Sequence, residues 1–423
     1  MAEGTFSYDI TAIELISSVG LVTNIKFMVQ DFNLYESIYN SVLSGDAYIW
    51  DAQNILSDLS IHGNEFLMVR FEKADLNPIE KYFRIYKLSD VKFRNLNSFE
   101  YKIYFCSEEF VLNQQKRISK SYKNVKNHEI VRDILENQLE VDAKKLPDGN
   151  IEDTVVEQNL IIPGLKPLEA INWLSSFSLN EKLSAAYMFY ENLGGFVYKS
   201  LASLYEQEPI KKITINPKNI IEPEDKSIKN TTIPDKLEIP QLFDVLKTIS
   251  TGGYSSLMLA MNLTGQEHAT LRYDSVKGNF DQLNKYIPYN DSRNRFNETL
   301  TDGSTYFRYF PTFQGALVDD WLLQRASQLA LLNNMQMTIQ LPGNPELRAG
   351  LTLDIDFPSI QPIDASFKTE EDGVKSGRYL ITSVRHRIID SIYVCYIEMC
   401  KDSNKIGIPG FSKTAKYELA KKS

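Results

Sequence analysis

One β-rich pattern occurs twice, near each end of the chain. The first copy runs Asn64-Glu-Phe-Leu-Met-Val-Arg-Phe71 and, after a gap, from Tyr82 through Tyr101-Lys-Ile-Tyr-Phe-Cys106. The second runs Gly350-Leu-Thr-Leu-Asp-Ile-Asp-Phe357 and, after a longer gap, from Tyr379 through Cys395-Tyr-Ile-Glu-Met-Cys400. Both copies end alike, as Ile103-x-x-Cys106-Ser-Glu against Ile397-x-x-Cys400-Lys-Asp. Successive side chains of a strand point to opposite faces, so alternation of this kind commits each segment to one buried face. Self-similarity at a wide spacing is how an internal duplication shows in a sequence. Identity between the copies is low and any two meanders alternate, so duplication and coincidence both stay open at this stage.

Length and composition bound the rest. The 423 residues suffice for about three domains, each with its own core. Hydrophobic content of 43% and charged content of 24% are ordinary for a globular protein, and 23 Tyr with 22 Phe favour strands. A net charge of −9 argues against a nucleic-acid binder, which needs clustered cations. The local exception, Lys116, Arg117, Lys120, Lys123 and Lys126, holds Tyr122 as its one aromatic and reads as a solvated connector. Three Cys and four His show no zinc spacing, and Cys395 and Cys400, five apart on one strand, face opposite ways, which disfavours a disulfide and suits a reducing environment. The N-terminal residues lack the pattern of a signal peptide, and no apolar run reaches the ~20 residues of a membrane helix.

Along the chain, 19–112 reads as strands throughout. Thr23, Ile25, Phe27 and Val29 are expected on one face of an opening strand. Ser37–Leu43 and Ala47–Trp50 form a hairpin about the turn Ser44-Gly45-Asp46. Leu67, Val69 and Phe71 alternate, as do Phe99, Tyr101, Ile103 and Phe105. A helix over Glu129–Leu139 carries Ile130, Ile134 and Leu135 on one face, with Asn127 at its N-cap. A second starts at Pro167 and continues through Leu168, Ile171, Leu174 and Phe177. A hairpin follows about Gly194-Gly195. Residues 216–240 hold four Pro among charges and read as an extended connector. Strands are expected at 254–263 and 269–273, and 275–315 shows no periodicity. A helix at 317–333 places Leu317, Trp321, Leu329 and Leu332 on one face. In the second module Leu351, Leu353, Ile355 and Phe357 face one way, and Thr352, Asp354 and Asp356 the other. The domains expected are 1–112 (first β-barrel), 113–215 (α+β middle domain), 216–240 (Pro-rich connector), 241–402 (second β-barrel with an irregular or helical insertion near 275–334) and 403–423 (Lys-rich tail).

Motifs of catalysis are missing. Gly194-Gly195 and Gly252-Gly253 lack the Lys-Ser/Thr of a phosphate loop, and no Gly-x-Ser-x-Gly elbow occurs. His62, His128, His268 and His386 are scattered, and His386, within Arg385-His386-Arg387, is expected to serve structure or an interface. Cys106, Cys395 and Cys400 lie in β-runs without an evident basic partner, which speaks against a nucleophile. Asp319-Asp320 could be half of a glycosidase pair, but acids in a first helical turn are explained by the macrodipole. No catalytic, metal-binding or cofactor-binding residue is assigned.

Three segments together resemble the baseplate hub proteins of contractile-tailed bacteriophages, a family related to the hub portion of type VI secretion spikes. They are Tyr35–Asp51 followed by Leu59–Leu67, Pro163–Leu174 leading to Phe189–Phe196, and Pro342–Gly350 leading through Phe357-Pro358 to Ser376–His386. The resemblance implies an α+β, mainly β fold with two similar antiparallel, tail-tube-like β-barrels and an intervening α+β domain. It implies a non-enzymatic homotrimer whose six barrels form a pseudo-sixfold ring, adapting the hexameric tail tube to the trimeric central spike. The implied partners are the tail tube protein, the central spike protein, baseplate wedge proteins and the tape measure protein, with genomic DNA passing the lumen without specific binding. The implied location is the virion tail baseplate, assembled in the host bacterial cytoplasm. Competing readings are the hub of a phage-derived injection system or secretion spike, and a tail-associated cell-wall hydrolase or glycan-binding protein.

Overall fold

Alternating burial sets the strands of the N-terminal module, β1 (Asp9–Ile16), β2 (Val22–Asn24), β3 (Val29–Ser37), β4 (Ser44–Asp51), β5 (Phe66–Glu72), β6 (Ile79–Asn95) and β7 (Ser98–Cys106), with one helical turn, α1 (Ile55–Asp58), before β5. The computed structural model describes residues 8–404 apart from 60, 74–76, 96–97, 183, 216–235, 254, 263–266, 275–286, 289–304, 310–317, 333, 359–371 and 390–391. The strands run in the antiparallel order β3-β4-β7-β6-β5-β1-β2. Leu67, Val69, Phe71, Tyr101, Ile103 and Phe105 all point into the core, as their alternation requires.

Two local expectations change. The stretch 23–29 is no single strand: Lys26–Met28 form a 3-10 turn, Phe27 stands in solvent and Ile25 is buried. Asn24 Oδ1 accepts the Lys26 N–H at 3.0 Å, and this local bond competes with strand pairing. The turn of the β3–β4 hairpin is 38–43, and Ser44-Gly45-Asp46 opens β4. Gly45 is there because a Cβ would sit 2.3 Å from the Phe105 ring and 2.4 Å from the Asn33 carbonyl oxygen, so the signal marked close approach rather than a turn.

A smaller α+β piece follows, with α2 (Glu108–Gln115), β8 (Ser121–Lys126), α3 (Asn127–Asp133) extended by a π-helical turn to Gln138, β9 (Glu157–Ile161), α4 (Pro167–Ser175), β10 (Tyr187–Asn192), β11 (Gly195–Ser200) and α5 (Leu201–Glu206). Ile130, Ile134, Leu135, Ile171 and Leu174 are fully buried in its own core. Asn127 lies inside α3 rather than at its cap, where its buried amide donates to Ser178 Oγ at 2.8 Å. The basic run 116–126 contains β8, and Lys116 and Lys120 pair with Glu140 and Asp133.

The second module comprises β12 (Lys211–Thr214), β13 (Lys236–Gln241), β18 (Met335–Pro342), β19 (Thr352–Asp356), β20 (Gly377–Ile389) and β21 (Ile392–Lys401). Between β13 and β18 come α6 (Val245–Ser250), β14 (Ser255–Asn262), β15 (Glu267–Asp274), the two-residue β16 (Ile287–Pro288), β17 (Thr305–Tyr309) and α7 (Val318–Leu331), and a short β22 (Ser403–Asn404) pairs with β16. Thus β12 and β13, expected within the middle domain and the connector, are strands of this sheet. The rest of the connector and of the C-terminal tail, most of 275–315, and Leu317 lie outside the described residues.

The order of the second module, β13-β18-β21-β20-β19-β12, repeats that of the first, β3-β4-β7-β6-β5-β1, strand for strand in chain order. The register repeats too. Cys106 faces Arg84 and Ile103 faces Leu88 across a bulge at Tyr86, while Cys400 faces Leu380 and Ile397 faces Val384 across a bulge at Thr382. Leu67 faces Phe83 as Leu353 faces Tyr379, so the counterpart of Tyr379 is Phe83, one residue beyond the Tyr82 that the sequence suggests. A bulge needs one extra residue at a fixed site, and chance rarely places it identically. One departure remains: β1 runs antiparallel to β5, whereas β12 runs parallel to β19.

The middle piece is wedged against both modules. The β10–β11 turn inserts Leu193 into the core the modules share. A second apolar cluster joins Tyr190, Leu201 and Tyr205 to Leu380 and Cys400. Arg325 of α7 donates to the carbonyls of Ser175, Ala185 and Tyr187 at 2.9–3.2 Å, closing the C-terminus of α4. Gly350 has φ +85°, and a Cβ there would lie 1.7 Å from the Tyr190 hydroxyl. Gly350→Ala is therefore expected to lower unfolding free energy by at least about 2 kcal/mol, measured by denaturant titration.

Candidate assembly site

The edge where the two modules join carries a connected polar network. β3 and β20 pair antiparallel from Ser37 opposite Ser383 to Asp31 opposite Ile389, which merges both modules into one sheet. Odd positions of β3 share one face. There the Arg387 guanidinium donates through Nε and Nη2 to the two Asp31 oxygens at 2.9 and 3.0 Å. Arg385 Nε donates to Asn33 Oδ1 at 2.9 Å, Asn33 Nδ2 to Asp46 at 3.1 Å, and the Tyr35 hydroxyl to Asp46 at 3.0 Å. Lys102 Nζ lies 3.1 Å from the same carboxylate. Bidentate Arg–carboxylate geometry of this kind fixes register as well as adding energy.

The even positions Phe32, Leu34, Glu36 and Ile38 face inward, and Glu36 is the exception among them. Its exposure is 1%, that of His386, diagonally across on β20, is 0%, and Nε2 of the imidazole sits 3.4 Å from Glu36 Oε1. The carboxylate also accepts the backbone N–H groups of Leu193 and Ala349, each at 2.9 Å. One side chain thereby ties β3, β20, the β10–β11 turn and the loop before β19. His386 Nδ1 lies 2.8 Å from the Tyr393 hydroxyl and 3.3 Å from Cys395 Sγ. Burial opposes charge on the imidazole, but the Cys395 sulfur and the Glu36 carboxylate outweigh it, and the pKa rises from 6.5 to about 10. A second buried carboxylate, Glu191, accepts from the Leu43 N–H and the Ser107 hydroxyl, with Lys145 Nζ at 3.5 Å.

Cys395, His386 and Glu36 form a thiol, imidazole and carboxylate in sequence of contact, a basic partner for cysteine that the sequence does not reveal. All three are at most 1% exposed, so a substrate has no access to the sulfur and the cluster serves the core. Cys395 and Cys400 do face opposite ways, into different apolar clusters, and all three cysteines are free. The other histidines stay apart. His62 sits in the loop before β5, His128 bonds Thr154, and His268 lies in β15. Asp319 and Asp320 occupy the first turn of α7. Among the described residues no group of three or more His, Cys, Asp and Glu could hold a metal, and no helix is long and apolar enough to cross a membrane.

No protein-family model matches the chain. Over 420 residues it is 20% identical to the probable baseplate hub protein of Vibrio phage KVP40, covering 94% of this chain and 96% of that protein. Its fold is similar to that of a tail protein from Neisseria meningitidis MC58, with a TM-score of 0.54 and 11% identity over 94% of this chain and 97% of the other. It is equally similar to the 43 kDa tail protein of prophage MuSo2 from Shewanella oneidensis, at 0.54 and 10%, over 94% and 100%. The resemblance to baseplate hub proteins drawn from the sequence is thus met by a relative along nearly the whole chain, and the mainly β fold is that of phage tail proteins.

Exchanging Glu36 for Gln removes the charge beside the buried imidazole and turns an amide NH2 toward one of the two buried N–H groups. Glu36→Gln should cost roughly 3–5 kcal/mol at pH 7 by denaturant unfolding. Because the folded pKa of His386 lies above the unfolded value, its contribution is complete below pH 6.5 and is lost as pH rises through about 10. The gap between wild type and Glu36→Gln should accordingly shrink between pH 7 and pH 10.

Proposed function

We propose that this chain is the hub of a phage contractile-tail baseplate, a structural rather than catalytic component. Three copies carry six modules of matching strand order and bulge position. Only a duplicated chain can offer a threefold spike below and a sixfold tube above near-equivalent contacts on each side. The duplication is the observation that carries this reading, and similarity to a baseplate hub protein over the full length supports it.

In this reading the two modules, including β12 and β13, form the ring, and the α+β piece packs outside it toward the wedge proteins. The tail tube protein and tape measure protein adjoin one side of the ring and the central spike protein the other, in a virion assembled in the host cytoplasm. The polar face of the joined sheet suits a DNA conduit. Three of its cations are matched by acids, Arg387 by Asp31, Lys102 by Asp46 and Arg94 by Glu100, while Arg385 bonds the neutral Asn33, and this pairing lowers the positive charge open to a passing phosphate backbone.

Light scattering on the purified chain, alone and mixed with its spike protein, is expected to give three times the 48.5 kDa chain mass in at least one of the two. A monomer in both removes the reading. Particles with DNA in the bore identify a phage tail, whereas tubes filled with protein cargo identify a related injection machine. Release of sugars or peptides from cell wall incubated with the chain would make it a hydrolase instead.

A further inference from the structure

Inside one chain the modules meet edge to edge, and each leaves an edge of the same kind open on its far side. β5 pairs with β6 only over Ile79–Arg84, just as β19 pairs with β20 only over Gly377–Leu380. On β20 the remaining length, Ser383–Ile389, is taken by β3. On β6 the corresponding length, Lys87–Arg94, holds one extra residue between Ser89 and Lys92 and carries no ladder on that side among the described residues. At the opposite end of the sheet β13, the counterpart of β3, pairs among the described residues with β18 alone.

We propose that β13 of one copy adds antiparallel to the outer edge of β6 in the next copy, in the register that β3 and β20 use within a chain. This inference rests on the trimer reading and specifies its contact. The register follows from the counterparts. Asn33 faces Asp46 as Glu238 faces Thr338, and Asp46 faces Tyr104 as Thr338 faces Glu398, the Tyr104 counterpart. On the other strand Arg387 faces Val394 as Lys92 faces Glu100. The internal pair Asn33–Arg387 therefore becomes Glu238 opposite Lys92 of the neighbour, and Phe32–Ile388 becomes Leu237 opposite Phe93.

Side chains at the two open edges fit that pairing. Ile388 is 8% exposed where β3 covers it, but its counterpart Phe93 is 84% exposed, a large apolar group left in water on an isolated chain. Glu238 and Lys92 are both exposed and opposite in charge; Glu238 meets Lys236 of its own strand at 2.8 Å on the exposed surface, and a cross-strand pair with Lys92 would select register. Pro240, which has no N–H to give, falls within the stretch that would pair, at the bulge of β13 and opposite the irregularity of β6 between Ser89 and Lys92. An unprotected strand edge invites addition of another strand. Because the contact joins unlike surfaces, head to tail, it generates a ring when the rotation closes.

Cysteine pairs in the otherwise unchanged full chain test the register. In trimers of E238C/K92C a short bifunctional thiol crosslinker should give covalent species of two and three chains, since the native cysteines are buried. The pair E238C/R94C, shifted by two residues, should stay unlinked. F93D, at a site already in solvent, should leave the melting temperature of the monomer unchanged and weaken trimer formation about tenfold or more. E238K should weaken it about two- to fivefold per seam, with recovery in E238K/K92E. Trimers in which 238 and 92 do not link, or in which 238 links to 94 as readily, overturn the seam and leave the trimer standing. A chain that stays monomeric alone and with its spike protein overturns both.

Discussion

A single buried carboxylate holds the architecture in register. Glu36 sits where both modules and the α+β piece converge, and its oxygens are divided between an imidazole on β20 and two backbone N–H groups from elsewhere in the chain. Burying such a charge is unfavourable unless every lone pair is engaged, so alternative packings of the turn at Leu193 or the loop at Ala349 are disfavoured together. Gly350 and Tyr190, in contact beside this point, add a steric lock to the electrostatic one. The modules therefore share a single apolar cluster instead of two independent ones.

Much of this was legible in the chain where periodicity alone decides. The alternation at Leu67–Phe71 and Tyr101–Phe105, the Pro167 helix start and the β10–β11 hairpin follow from local pattern. The failures have physical causes. The segment 23–29 alternates, yet Asn24 Oδ1 takes the Lys26 N–H beside a 3-10 turn there, and Gly45 marked a close approach to Phe105 rather than a turn. β13 was hidden by Pro240 and its charges, which are the devices of an edge strand. The Glu36, His386 and Cys395 cluster joins positions hundreds of residues apart. A signal for it does exist in the sequence: Glu36 falls in the inward series Phe32, Leu34, Ile38, and His386 in the inward series Val384, Ile388, each an ionisable group where an apolar one is expected.

The two copies have diverged where divergence is inexpensive. Residues 38–43 suffice to connect β3 and β4, while between their counterparts β13 and β18 the described residues alone include α6, four strands and α7. Lengthening a surface loop adds only a small, slowly growing closure entropy. In exchange the insertion supplies Arg325, which pins it to the α+β piece. The bulges at Tyr86 and Thr382 were kept, and the one at Thr382 lies where β20 leaves β19 and meets β3.

The β3–β20 junction also bears on how a ring would be built. Since it is made when one polypeptide folds, half of the joints in a six-module circle are complete before any two molecules collide. Closure then has third-order rather than sixth-order dependence on concentration, and each linked pair confronts the next partner at an effective local concentration that no separate module could reach. A scarce, few-copy component can on that account finish a circle that dispersed single modules would leave as open arcs.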